Sequence, residues 1–231
     1  MYKKILKILL VFLFGSLGGV WAQASLLPYL IGSSFFDGEV VINPVQTIIV
    51  RENIALTEAI ARVEKTIVGV RAKTADGKIL EGTGLAVTSD GLIVTLADLV
   101  PPGSDFYFYV DGEWPTWQIL KRDTKNNLAL VKVGKGGLAT AGFANLEKTE
   151  IGERVFLLGA MRVATTTKVF ANEGIVSYFG QDTVVTDILE RKAAGSPLFN
   201  ISGEVIGISA IDAAGRVSAV PVSIVRSFIG L

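Results

Sequence analysis

From Ile67 to Pro221 the chain is a series of short apolar runs, each closed by a pair of turn residues. "TIVGVRAK" ends at an Ala75-Asp76-Gly77 turn, "KILEGTGLAVTS" at Asp90-Gly91, and "LIVTLADLV" at Pro101-Pro102-Gly103. "DFYFYV" and "WPTWQILKRD" flank Asp111-Gly112, a strong hairpin signal because both positions tolerate positive φ. "NLALVKV" is almost continuously apolar, which predicts a strand buried on both faces. The turn-rich stretch 134–152 reads as a connection between two halves. After it come "ERVFLLGAM", "TTKVFANEGIVSYFG", "DTVVTDIL", "SPLFN" with "EVIGISAI", and "RVSAVPV". Many short strands at even spacing predict an all-β sandwich or barrel. Besides an N-terminal hydrophobic helix, helix is expected mostly over residues 53–65, where Ile54, Leu56, Ile60 and Val63 recur at near-helical spacing, and in the last few positions.

The start of the chain differs in kind. Lys3, Lys4 and Lys7 precede an apolar run from Ile8 to Ala22, and Ala22 and Ala24 form a small-residue pair. Residues 1–24 therefore read as a secretory signal peptide or, if the apolar run continues to Leu27, as an uncleaved membrane anchor. Under both readings the lysines stay inside and the remainder is exported. Residues 25–56 read as a linker with extended segments and the start of a short helix, with turns at Pro28, Gly32-Ser33-Ser34, Asp37-Gly38 and Asn43-Pro44.

Inventory excludes much chemistry. The chain contains no cysteine, which removes disulfides, thiolate metal sites and thiol nucleophiles. It contains no histidine either, so every mechanism built on an imidazole base is ruled out, and no metal or cofactor is expected. Lys+Arg and Asp+Glu both number 22, and this neutral balance without a basic block argues against nucleic acid as a partner.

Six local patterns, in order over residues 57–231, resemble the protease domain of the HtrA-type (Deg) serine proteases. "GTGLAVTSDGLIVTLADLV" resembles the family's G-S-G hairpin leading to T-N-x-H-V, and "DTKNNLALVKV" its D-x-x-x-D-L-A-V segment. "IGERVFLLGAM", "ANEGIVSYFG", "AAGSPLFNISGEVIGISAI" and "VSAVPVSIVRSFI" resemble the segments that follow. The resemblance implies a trypsin-like double six-stranded β-barrel, with barrel 1 over about 57–135 and barrel 2 over about 150–231. Carried over position by position, the family's histidine falls on Asp98, its aspartate on Asn127 and its serine on Ala194. The oxyanion loop falls on Lys192 and Ala193, with lysine where the family has glycine.

The expected consequence is loss of catalysis. Serine attack requires a nucleophile, a base and a carboxylate that orients the base, and losing one member typically costs about 10⁴–10⁶ in turnover. The chain is thus expected to be an inactive HtrA-type homologue outside the cytoplasmic membrane that binds unfolded polypeptide or a protein partner. The membrane is a further partner if the N-terminal segment is uncleaved, and a homo-oligomer is left open. Since the chain ends at Leu231, without the PDZ module usual in this family, recognition is expected from the barrels or from residues 25–56. Two alternatives remain: an active enzyme with Ser196 as nucleophile and Lys192 as base, and a structural subunit of an envelope complex. A carboxylate pair of Asp98 with Asp123 is a remoter option, Asp123 reading most simply as part of a turn.

Overall fold

A computed structural model describes residues 2–26, 45–163 and 166–231. The chain divides into two units, Met1–Val50 and Arg51–Leu231. In the first, helix α1 (Tyr2–Trp21) continues as a π-helical turn over Ala22–Leu26. Together they are long and apolar enough to cross a bilayer. Helix α2 (Val45–Val63) begins several residues before the apolar-periodic stretch from which it is predicted, so residues 45–52, expected to be extended, are helical. Their β-branched side chains make strand the local preference, and helix propensity is a weak prior that context overrides. The predicted turns from Pro28 to Pro44 lie outside the described residues.

The second unit is the all-β architecture that the strand pattern predicts. Six strands form the first sheet: β1 (Ile67–Lys73), β2 (Ile79–Ala86), β3 (Leu92–Leu96), β4 (Asp105–Tyr109), β5 (Trp117–Asp123) and β6 (Leu128–Val133). Their order is β4-β1-β2-β3-β6-β5, all neighbours antiparallel, with β4 and β5 at the two edges. This sheet is a half-barrel, open between β4 and β5. The residues between its edges explain why. Val110 and Glu113 close a tight turn, and Pro115, which has no N–H to give, follows before β5 begins. Side chains span the gap instead: the Trp117 ring meets Phe106 edge-on at 5.1 Å and Phe108 at 6.1 Å.

The second sheet closes. Its strands are β7 (Arg154–Val163), β8 (Thr166–Phe179), β9 (Val184–Leu189), β10 (Pro197–Asn200), β11 (Val205–Ile211) and β12 (Arg216–Pro221), in the order β10-β11-β12-β9-β8-β7. The described part of the run 164–168 belongs to the far end of the β7–β8 hairpin. Its Thr166–Lys168 part pairs with Met161–Val163, and 164–165 lie outside the described residues.

Strand β7 shows how the two halves share a core. Val155 and Leu157 point into the closed barrel with Val176, Leu198 and Ile206. Phe156 and Leu158, on the other face, join the cluster that contains Phe108, Leu128 and Ile93 of the first sheet. Period-2 alternation thus serves two cores rather than a core and solvent, which is why the run is apolar throughout. Phe156 stacks on Phe199 of the neighbouring strand β10 at 5.2 Å, and both rings belong to the cluster shared with the first sheet. Helix α3 (Val222–Ile229) closes the chain with Val222, Val225 and Phe228 buried, and Gly230 at φ 85° provides its left-handed end.

Candidate functional site

The site forms where turns from both halves meet. After β3 the chain makes a single 3₁₀ turn, Ala97–Leu99, with Ala97 and Leu99 buried and Asp98 outward. Before β6, Asn127 adopts φ 52°, a left-handed conformation that asparagine tolerates better than most residues. These two turns clasp one another. Ala97 N–H donates to the Asn127 carbonyl at 3.1 Å, and Asp98 N–H to Asn127 Oδ1 at 2.9 Å. Asn127 Nδ2 in turn donates to Asp98 Oδ2 at 2.9 Å. Two of the positions aligned with catalytic residues are thus adjacent and bonded, as a carboxylate held by an amide.

Asp123 is held apart from this pair by its own turn. Its carboxylate accepts from Lys125 N–H at 3.0 Å, Asn126 N–H at 3.1 Å and Asn126 Nδ2 at 2.6 Å. The Asn126 side-chain bond, followed by the backbone bonds, keeps this carboxyl below its ordinary range. Its bonding is that of a turn-forming Asp.

Ala194 lies in the loop between β9 and β10, which is stapled on both sides. Thr83 N–H of β2 donates to the Ala194 carbonyl at 2.9 Å, and Gly195 N–H donates to the Ser209 carbonyl of β11 at 2.8 Å. Gly195 has φ 74°, and a Cβ there would stand 2.1 Å from the Thr83 carbonyl oxygen, so no other residue fits without movement. Leu99 packs against this loop, because a Cβ on Gly82 or on Gly195 would meet Leu99 Cδ1 at 2.4 and 2.9 Å respectively. The turn that carries Asp98 and the loop that carries Ala194 therefore touch through Leu99. What stands at the loop's centre is a methyl group.

The residues aligned with the family's oxyanion loop are bonded within their own turn. Lys192 is exposed, and its backbone N–H donates to Oε1 of Glu190 at 3.0 Å. The Ala193 N–H, on a fully buried residue, reaches the Glu190 carbonyl at 3.3 Å. A carboxylate of the same loop thus takes up the N–H of the residue where the family has its oxyanion glycine.

Ser196 is 0% exposed, and its hydroxyl donates to Thr83 Oγ1 at 3.3 Å. Thr83 is the hub of the junction. Its Oγ1 also accepts Ala160 N–H at 2.8 Å, and its carbonyl accepts the Thr95 hydroxyl at 2.6 Å. Sequence reasoning missed Thr83 and Glu190. The signal for Thr83 was its place between Gly82 and Gly84, bare positions where chain segments approach closely; Glu190 had none. Trp117 packs on Phe106 and Phe108 while still 40% exposed, and Trp114 is half exposed over Tyr107 and Tyr109. Among the described residues no cluster of three or more Asp or Glu could hold a metal ion.

Replacing Asn127 isolates the clasp. Asn127→Ala is expected to lower stability by about 1–3 kcal/mol, from the lost side-chain bonds and the left-handed backbone, and Asn127→Gly by less. Urea unfolding measures both losses: equal ones would show that the left-handed backbone costs the alanine nothing, and a glycine variant as stable as the wild type would show that the clasp contributes nothing.

This arrangement of a junction loop between two six-stranded sheets is that of the trypsin-like peptidases, and residues 82–208 match the trypsin-like peptidase domain family. The chain belongs to that family. The match spans Asp98, Asn127 and Ala194. Within it, the resemblance is to HtrA-type members. The chain is 29% identical over 140 residues to a "probable periplasmic serine endoprotease DegP-like" of Chlamydia trachomatis, covering 56% of this chain and 28% of that protein. A protein of the same description from Rhizobium meliloti is 31% identical over 140 residues, covering 56% and 27%. Serine protease HTRA1 of Xenopus laevis is 29% identical over 160 residues, covering 64% and 35%. The chain thus spans about a third or less of the length of these relatives.

Proposed function

We propose that this chain is a catalytically inactive HtrA-type homologue that acts by binding polypeptide outside the cytoplasmic membrane. The observation that carries the reading is Ala194 itself: a methyl group at the loop centre, with Leu99 linking its loop to the turn where the Asp98 carboxylate accepts from the Asn127 amide. Nothing there can attack a carbonyl, and neither Asp98 nor Asn127 can serve as the imidazole base of a serine mechanism. The Glu190 carboxylate on the Lys192 amide adds to this, because an oxyanion would have to displace a bonded anion. Ser196 offers no second route, since its hydroxyl is fully buried on Thr83 while Lys192 is exposed. A base lysine would need desolvation to lose its proton near neutrality. The names of the bacterial relatives and the long apolar N-terminal helix support an extracytoplasmic place, with the helix as export signal or anchor.

Two assays test the reading. Purified chain is expected to leave an unstructured polypeptide such as casein intact and to take up no fluorophosphonate label. Labelling of the wild type that Ser196→Ala abolishes would overturn it.

A further inference from the structure

A groove runs between the first sheet and the end of β7. It rests on the proposed polypeptide-binding reading and deepens it, because its chemistry selects a kind of peptide. One end is aromatic. Trp114, 50% exposed, stands edge-on to Tyr109 at 5.0 Å and to Tyr107 at 6.4 Å, so its ring is fixed while much of its surface is open. A half-exposed, immobilised indole is a typical anchor point, since little side-chain entropy remains to be lost on binding.

The other end is cationic. A recess of about 130 Å³, room for a side chain rather than a whole ligand, is lined by Arg162, Arg191 and Lys192 together with Glu81, Ala160 and Met161. The aromatic end shares Glu81, Ala160, Met161 and Arg162 with it, so the two are continuous. The acidic groups here are engaged: Glu81 lies 3.6 Å from Arg71 Nε, and Glu190 accepts the Lys192 amide. Arg191 is held in place by its stem, as a Cβ on Gly215 would meet Arg191 Cγ at 2.8 Å. No carboxylate among the described residues lies within ion-pair distance of the Arg191 or Lys192 side chains. In a chain whose formal charge is zero, this is a local concentration of positive charge.

We propose that this groove binds an acidic, extended stretch of polypeptide, with carboxylates facing Arg162, Arg191 and Lys192 and an apolar or aromatic side chain on Trp114. Exposed cations act in water, so the preference is set by long-range complementarity and weakens with salt.

Fluorescence anisotropy with the full chain in detergent tests it, using three labelled dodecapeptides. Each carries the same leucines and one tryptophan, with aspartate, lysine or serine between them. The aspartate peptide is expected to bind at least about tenfold more tightly than the lysine peptide at low salt, and the ratio to fall severalfold in 0.5 M NaCl. Arg162→Glu with Arg191→Glu is expected to reverse the order, and Trp114→Ala to weaken all three; all three residues are exposed, and thermal melts verify folding. Equal binding of the aspartate and lysine peptides, or indifference to the double charge reversal, overturns the acidic selectivity and leaves polypeptide binding standing. Failure of all three peptides to bind overturns both. Tighter binding of a thymidine oligonucleotide than of the aspartate peptide also overturns the assignment, since the groove would then be a general polyanion site.

Discussion

The variant Asp98→His, Asn127→Asp, Ala194→Ser is expected to cleave unfolded polypeptide at no more than about one-hundredth of the rate reached when Glu190→Ala and Lys192→Gly are added. The triple change supplies a nucleophile, a base and an orienting carboxylate, all on turns that Leu99 already brings together. It leaves the oxyanion loop as it is, with Glu190 Oε1 3.0 Å from the Lys192 N–H. A developing negative charge would meet a carboxylate where it needs a free donor. Loss of one such donor costs about 10²–10³ in turnover, which sets the size of the expected gap. The measurement is hydrolysis of a quenched-fluorescent casein by the triple and quintuple variants, prepared alongside the wild type. Equal rates for the two would show that the Glu190 bond opens freely and is no obstacle.

Gly195→Ala is expected to cost roughly 4 kcal/mol or more, a large share of the 5–15 kcal/mol by which proteins are ordinarily stable. Two effects combine. The left-handed φ of 74° disfavours any residue with a Cβ by about 1–2 kcal/mol. The Cβ would also sit 2.1 Å from the Thr83 carbonyl oxygen and 2.9 Å from Thr95 Oγ1, in the buried junction between the two sheets. Relief requires the loop to retreat, which breaks the Thr83 to Ala194 and Gly195 to Ser209 hydrogen bonds and opens space around Leu99. Gly77→Ala separates the two effects, because Gly77 has φ 86° and nothing within 4 Å of its notional Cβ. It is expected to lose only the backbone part. Thermal unfolding should show a Tm drop for Gly195→Ala several times that for Gly77→Ala, and equal drops would mean that the junction yields easily.

The same junction shows why sequence went further for fold than for site. Strand identities and most turns were legible because each is a local property: a run of alternating or continuous apolar residues, then a pair such as Asp90-Gly91 or Asp111-Gly112 that closes it. The open edge between β4 and β5 was not legible. It depends on whether two strands 12 residues or so apart find each other's backbone, and Pro115 with the Trp117–Phe106 contact settles that by packing rather than pairing. The early start of α2 was missed for the opposite reason, since local β-branched preference gave way to helix there.

From the residues alone come the absence of any imidazole or thiol and the missing hydroxyl at position 194. Those are facts of inventory, and no arrangement in space can add an atom the chain lacks. Proximity is another matter. That Asn127 holds Asp98, that Thr83 bonds Ala160, Ala194 and Ser196, and that Trp114 shares a groove with Arg162 and Arg191 all depend on segments far apart in the chain. Folding brings these together because burying β7 between two cores fixes one sheet against the other, and side-chain chemistry at their boundary is then a property of the pair.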